Sequence, residues 1–335
     1  MAAALATRVL PVDPAWPDPA DLREAAALLD AGELVAFPTE TVYGLGADGL
    51  NADAVARIYA AKGRPSTNPL ILHVDGLPMA RGLVRTWPAA AIRLAEAFWP
   101  GPLTLVLPRR AGVPDAVTGG GDTVALRMPA HRVPLSLIGR LGRPLAAPSA
   151  NLSERISPTL AAHVLEDLEG RIPLVLDGGP TRRGLESTVV DLSGERPRIL
   201  RPGPIPPRLL ERLLGSVATL HAAPGAGPAP SPGLGLRHYA PRLPLHLRAE
   251  GEPLPVPGPA AWLALDAAAE PPPPGITRVA MPRDPEAYGA RLYATLRSLD
   301  RPPFLRIVVD LPPAAEAWAA VHDRLRRAAA RPACA

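Results

Sequence analysis

A chain of 335 residues, 47% hydrophobic and 20% charged, exceeds the usual size of one domain and carries ample apolar material for a core, which excludes a disordered chain. Its single cysteine, Cys334, rules out an internal disulfide framework and a thiolate zinc cage. The opening Met1 to Leu10 lacks the basic start of a signal peptide, so a cytoplasmic protein with no membrane segment is expected. A net charge of +4 and a pI near 9.7 admit an anionic small molecule or RNA as partner and do not decide between them.

In chain order, Asp18 and Pro19 open a helix whose apolar face is Leu22, Ala25, Ala26, Leu28 and Leu29, ending at Gly32. Leu34 to Phe37 reads as a buried strand. It runs into Pro38-Thr39-Glu40-Thr41-Val42-Tyr43-Gly44-Leu45-Gly46, which places hydroxyls, a carboxylate and two glycines at a strand end, where α/β sheets gather ligands. Read alone, without the motifs that follow, the stretch is better taken as a glycine-containing loop with a satisfied threonine cap. Asn51 then caps a helix carrying Val55, Ile58 and Tyr59, with Lys62 in its last turn and Gly63 as the exit.

Of the 36 cationic residues, Lys62 is the one lysine. A compact ammonium kept where every other cation is a planar guanidinium suggests a phosphate neighbour, although a lysine also suits the negative end of a helix.

Leu70 to Val74 is a second strand with His73 near its end. Helices over Leu77 to Val84 and Pro88 to Phe98 lead through Trp99-Pro100-Gly101-Pro102 into a strand from Leu103 to Leu107. Gly119-Gly120-Gly121-Asp122, which no Lys-Ser or Lys-Thr follows, is not a Walker loop. It precedes a strand in which Thr123, Ala125 and Arg127 share a face. After a helix from Val133 to Leu141, the strand Leu145 to Ala147 ends in Pro148-Ser149-Ala150-Asn151. Ser157-Pro158 reads as the cap of a helix from Thr159 to Leu168.

Further strands are expected at Leu174 to Asp177, Thr188 to Asp191 and Ile199 to Leu200, flanked by Glu186-Ser187-Thr188 and Arg201-Pro202-Gly203, before a helix from Pro206 to Leu214. The run from Pro224 to Gly233 is linker-like, interrupted afterwards by Arg237-His238-Tyr239-Ala240-Pro241. Beyond it, strands at Ala261 to Leu265, Ile276 to Ala280 and Phe304 to Val309 alternate with helices at Pro285 to Leu299 and Ala314 to Ala330, the pattern of a small α/β domain. The expected division is 1–215, a linker or lid over 216–243, and 244–335.

Phe37 to Gly46, Lys62-Gly63-Arg64-Pro65, Asn68-Pro69-Leu70, Pro148 to Asn151 and His238-Tyr239-Ala240-Pro241 together resemble the YrdC-type threonylcarbamoyl-AMP synthase family in its long two-domain form, closely over residues 15 to 241. The tail departs from the family pattern, because Ala314 to Trp318 replaces a glycine-rich stretch. The resemblance implies a twisted mixed sheet with flanking helices and a smaller C-terminal Rossmann-like α/β domain. It also implies ATP-dependent condensation of L-threonine with bicarbonate or CO2 to threonylcarbamoyl-AMP and pyrophosphate, for a modified adenosine of tRNA.

Carried over position by position, Lys62 and Arg64 would be catalytic. Those two with Asn68, Thr123, Ser149, Asn151, Ser157, Arg201 and Tyr239 would hold ATP, and Thr39, His73, Arg127, the Ala147 backbone and Ser187 would hold L-threonine. Mg2+ would arrive with the nucleotide, with no protein ligand assigned. The implied partners are downstream tRNA threonylcarbamoyl-transfer proteins and weakly bound tRNA, and a monomer is expected. Two other readings stand beside this one. A non-catalytic double-stranded RNA or tRNA-binding module is suggested by the pI, but the chain lacks a basic run interleaved with aromatics. A carbamoyl-transfer domain of hydrogenase maturation type would need cysteine-rich zinc modules that one cysteine cannot build. Within the synthase reading, the linker rather than the second domain is expected to complete the site.

Overall fold

The structure, a computed structural model, describes residues 5–219, 237–249, 252–254, 258–265 and 272–330. The linker run from Pro224 to Gly233, the glycine-rich Pro232 to Leu236 and Cys334 lie outside the described residues.

The first half of the chain runs β1 (Arg8–Pro11), α1 (Pro19–Asp30), β2 (Val35–Phe37), β3 (Gly44–Asp48), α2 (Ala52–Lys62), β4 (Ile71–His73), α3 (Leu77–Gly82), α4 (Ala89–Phe98), β5 (Leu103–Pro108) and α5 (Asp115–Thr118). It continues with β6 (Thr123–Arg127), α6 (Arg132–Leu141), β7 (Leu145–Ala146), α7 (Ala161–Leu168), β8 (Leu174–Asp177), β9 (Thr188–Asp191), β10 (Arg198–Arg201), α8 (Pro207–Leu214) and β11 (Ala218–Thr219). Among the described residues these strands form one mixed sheet in the order β1-β8-β2-β3-β7-β4-β6-β5-β9-β10-β11. Local chemistry sets the ends of its helices. Asp18 accepts from Ala20 N–H at the start of α1, Asn51 accepts from Asp53 and Ala54 N–H at the start of α2, and Gly63 closes α2 at φ 59°.

Apolar residues on both faces bury the sheet. On one face Ala36, Leu72, Leu105 and Leu126 pack with Val55 and Ile58 of α2, Leu94 of α4 and Val164 of α7. On the other, Val35, Phe37 and Leu145 meet Leu22 and Leu29 of α1 and Leu137 and Ile138 of α6. Farther along, a small group of Ile71, Val106, Ala125, Val189 and Leu200 forms the ground beside the cavity described below.

The second part holds β12 (Leu245–Arg248), β13 (Ala260–Ala264), β14 (Ile276–Ala280), α9 (Pro285–Leu299), β15 (Arg306–Asp310) and α10 (Ala319–Ala329), with a parallel sheet in the order β12-β15-β13-β14. The expected mixed sheet with flanking helices and the smaller parallel α/β unit are both present. Their cores are joined: Val42, Ile156, Leu185 and Tyr239 pack in one cluster with Tyr288, Leu292, Tyr293, Trp318 and Leu325. At the seam Gly184, with φ +70°, approaches α9 so closely that a Cβ there would lie 2.5 Å from Gly289 O.

Several local expectations are corrected. Gly44 to Asp48 is a strand rather than part of a loop, because the Phe37 ring occupies the place of a side chain at Gly46, where a Cβ would meet it at 2.5 Å. Arg8 to Pro11 is an edge strand paired with β8. Ser157 does not cap α7, which starts at Ala161; its hydroxyl turns to Glu186, and Thr159 N–H is met by His163 Nδ1 at 3.3 Å. The last helix is broken into a 3-10 turn, Glu316–Trp318, and α10, with Trp318 buried edge-on against Tyr288 at 5.4 Å.

Candidate active site

β4 and β6 are parallel neighbours in a register that pairs Ile71 with Ala125 and His73 with Arg127. The two-residue period of strands therefore sends His73 and Arg127 to the same face as Ile71. That face floors a cavity, so the site lies on the sheet rather than only at its strand ends. Three loops and the end of the linker wall it: Thr39 to Gly44 between β2 and β3, Ala147 to Ser149 after β7, Glu186 before β9 with Arg201 at the end of β10, and His238-Tyr239.

One side of the cavity is cationic. Arg64 lies on its wall, braced by Nε to Asn68 O at 3.2 Å and Nη2 to Pro69 O at 3.0 Å, and burial first, then the cation at Arg201, holds its pKa down to about 10. Arg201 donates from Nε to Ser187 O and from Nη2 to Ser187 Oγ, both at 3.1 Å. Lys62 stands behind this wall, fully buried. Its ammonium donates to Ser149 O at 2.5 Å and to Asn151 O, and burial and then Arg64 push its pKa well below the usual ammonium range. The ammonium thus fixes the turn that carries Ser149.

The other side suits a small zwitterion. Burial, and then Arg127, lowers the pKa of His73 to about 3, so its ring is neutral, and Nδ1 has no hydrogen-bond partner. Arg127 donates from Nη2 to Thr41 Oγ1 at 2.9 Å and forms an ion pair with Glu40 at 2.8 Å. The ion-pair geometry leaves both Glu40 oxygens without a hydrogen-bond donor, and Arg127 Nε is also unpartnered. A buried donor of this kind invites a ligand carboxylate. Thr39 lines the cavity, but its hydroxyl is already held in its own turn, donating to Val42 O at 2.7 Å and accepting from Thr41 and Val42 N–H.

Of the residues singled out from the sequence, Thr39, Arg64, His73, Arg127, Ala147, Ser149, Arg201 and Tyr239 line this one cavity. Lys62, Asn151, Ser157 and Ser187 lie just behind it. Asn151 binds Leu152 O and Arg155 O with its Oδ1 unpartnered, Ser157 donates to Glu186 at 2.5 Å, and the Ser187 and Thr104 hydroxyls are hydrogen-bonded at 2.7 Å. Asn68 and Thr123 do not reach the wall. Asn68 contributes its carbonyl to Arg64 and Tyr59, whereas Thr123 shares a face with Arg127 but stands roughly 13 Å away along the strand at about 3.3 Å per residue.

Sequence reasoning left Thr41, Glu186 and His238 unassigned, yet all three line the cavity. Burial alone would raise the pKa of Glu186, but Arg324 and then Arg201 outweigh it and hold the carboxyl down to about 2. His238 is kept neutral, its pKa lowered to about 3 by burial and then by Arg64. The described end of the linker is held on two sides, by Ala240 N–H to Glu154 O at 2.8 Å and by His238 N–H to Arg327 O at 3.3 Å. Tyr239 adopts φ 61° and stacks on Tyr293 at 5.7 Å, leaving its hydroxyl without a partner. The linker thus reaches the wall through His238 and Tyr239, while Tyr293 and Arg324 of the second domain do not line the cavity and support it from behind by binding Glu186.

A family model for Sua5, YciO and YrdC, described as "Telomere recombination", matches residues 27–203, and one described as "Threonylcarbamoyl-AMP synthase, C-terminal domain" matches residues 205–330. The chain is similar to a threonylcarbamoyl-AMP synthase of Pyrococcus abyssi, 52% identical over 66% of this chain and 65% of that one. It is also similar to one of Bacillus subtilis, 49% identical over 69% of this chain and 67% of that one. By sequence, then, it aligns with about two thirds of these relatives' length. Its structure resembles that of P. abyssi Sua5 complexed with L-threonine, with a TM-score of 0.88 at 38% identity over 96% of this chain and 97% of the other. With its motif loops gathered round one cavity and a matching second domain, the chain belongs to the Sua5, YciO and YrdC family, in the two-domain Sua5 form.

Proposed function

We propose that this chain is an L-threonylcarbamoyladenylate synthase, a nucleotidyltransferase that joins L-threonine, bicarbonate or CO2, and ATP into threonylcarbamoyl-AMP with release of pyrophosphate. The observation that carries this reading is that one cavity is lined by Arg64 and Arg201, which interact with each other, and by Arg127 beside a neutral His73. The threonine amine adds to the carbon of CO2 and loses a proton, giving a carbamate. A carbamate oxygen then bonds to the α-phosphorus as the bond to the bridging oxygen breaks and pyrophosphate departs.

The residues on the wall perform little covalent work, so catalysis is placement and charge stabilisation. Arg127 would fork the threonine carboxylate and His73 would meet its hydroxyl, with Thr39, the Ala147 backbone and Ser187 shaping that end. Lys62, Arg64, Ser149, Arg201 and Tyr239 would form the nucleotide end, with Asn151 and Ser157 supporting it, and Asn68 and Thr123 would be reached by the outer part of the nucleotide.

Glu186 is the one carboxylate among the residues lining the cavity, and it already accepts from Ser157, Tyr293 and Arg324. These residues fit a Mg2+ held by phosphate oxygens and water rather than by a protein cage. That ion would supply charge neutralisation to the leaving pyrophosphate.

Among the described residues no helix is long and apolar enough to cross a membrane. We place the chain in the cytoplasm as a monomer that passes its adenylate to tRNA threonylcarbamoyl-transfer proteins and binds tRNA weakly itself. In this scheme 1–215 is the catalytic domain, 216–243 a lid that shields the mixed anhydride from water, and 244–335 the second domain. An RNA-binding module without catalysis would leave a cavity lined by Arg64, Arg127, Arg201 and neutral histidines without a task.

The test is product analysis by mass spectrometry. ATP, L-threonine and bicarbonate together should give an adenylate with the mass of threonylcarbamoyl-AMP, and omission of threonine should abolish it. An adenylate formed equally without threonine would overturn the assignment.

A further inference from the structure

A carboxylate on the wall of a cavity that receives a triphosphate is an electrostatic liability, since like charges at short range repel strongly in a water-poor site. Glu186 is in that position, beside Arg64 and Arg201. Its compensation comes from 138 residues farther along the chain. Arg324 of α10 is completely buried and donates from Nε to Glu186 Oε2 at 2.8 Å and from Nη2 to Glu186 O at 3.3 Å. Its Nη1 holds Pro202 O at 2.9 Å, so one guanidinium grips the main chain next to Ser187 and next to Arg201. Tyr293 of α9 adds a hydrogen bond to Glu186 Oε2 at 3.1 Å, while Glu186 Oε1 accepts from Ser157. The guanidinium also lies 5.1 Å from the centre of the Tyr239 ring, which itself lines the cavity.

We infer that Arg324 is a positioning residue of the nucleotide site: it cancels the charge of Glu186, so that Arg64 and Arg201 meet the triphosphate unopposed, and it fixes the loops that carry Ser187 and Arg201. The inference rests on the ATP reading above. It gives the second domain a stated part in the site, because removing Arg324 leaves an uncompensated carboxylate at the phosphates. Asp323, which accepts from Arg324 Nη1 at 2.7 Å, also accepts from Arg327 at 3.0 Å and therefore retains a cation when Arg324 is lost.

The affinity for ATP should follow the net charge of the Glu186 and Arg324 pair. Calorimetric titration of full-length protein with ATP is compared for the starting chain, R324Q, E186Q and E186Q/R324Q, each checked for folding by thermal melting. R324Q should bind ATP about tenfold more weakly, as expected when one partner of a buried charge pair is removed. E186Q/R324Q, neutral again, should recover to within about threefold, and E186Q should bind at least as tightly as the starting chain. A purely structural Arg324 predicts the opposite order, with the double variant no better than R324Q, and that result overturns the inference. If R324Q does not fold, E186Q/R324Q against the starting chain decides: binding within about threefold upholds the inference, and a loss of about tenfold or more, as a purely structural Arg324 predicts, overturns it. Failure of the starting chain to bind ATP would instead strike the proposed function.

Discussion

Acidification from pH 7.5 to 5.0 should unfold this protein more easily, because its cavity buries neutral imidazoles. His73 and His238 both have their pKa lowered from 6.5 to about 3, chiefly by burial and next by a neighbouring arginine, Arg127 for one and Arg64 for the other. Between pH 6.5 and about 3 the unfolded chain therefore binds two protons that the folded chain refuses. The stability these rings permit is complete above pH 6.5 and falls as pH falls. With about 1.4 kcal/mol per pH unit per group, each histidine costs about 2 kcal/mol at pH 5, and the two together about 4 kcal/mol. His163, also lowered by burial, acts in the same direction. Urea unfolding followed by intrinsic tryptophan fluorescence, to which Trp87 and Trp99, 6.0 Å apart beside the large core, contribute, reads this slope directly. With three such rings contributing, H73Q should remove about a third of it. A midpoint that stays constant from pH 7.5 to 5.0 would refute the neutral-imidazole reasoning.

The remaining expectations concern charge and architecture. K62R should lose on the order of 100-fold in turnover at temperatures where it is still folded, because a planar guanidinium cannot replace the ammonium that holds Ser149 O and Asn151 O; a fully active K62R would reduce Lys62 to a compositional remnant. R127K should raise the KM for L-threonine by about tenfold or more while affecting ATP little, since it removes the fork but keeps a charge near Glu40; steady-state kinetics with each substrate varied would show this, and an unchanged threonine KM would exclude Arg127 from the carboxylate. A chain ending at Pro244 should melt lower and lose activity, because it uncovers Val42, Ile156, Leu185 and Tyr239 and removes Arg324; activity equal to the full chain would show that the second domain is dispensable.

The sequence disclosed the elements whose ends are written in local chemistry. Asn51, Lys62 and Gly63 bound α2 as expected, and the α9 range of Pro285–Leu299 was readable from Asp284, Pro285 and its apolar spacing. β3 was hidden because its Gly44 and Gly46 serve the Phe37 ring rather than a turn, a reason visible only once the neighbouring strand is in place. The site was legible where motif residues sit on the loops and strand ends that wall the cavity, as at Arg64, His73, Arg127 and Ser149. Glu186 and Arg324 escaped because their meaning is a pairing across 138 residues. In a helix that also carries Arg326 and Arg327, nothing in composition marks Arg324 as the buried one.

The central claim is that this cavity activates threonine, and pyrophosphate release with L-threonine set against L-valine tests it most directly. Valine has the shape of threonine without the hydroxyl that the unpartnered His73 Nδ1 would meet, and leaving a buried polar partner unpaired costs about 1 to 3 kcal/mol. The account predicts ATP- and bicarbonate-dependent pyrophosphate release with threonine at least about tenfold faster than with valine, and equal rates with the two amino acids would contradict it.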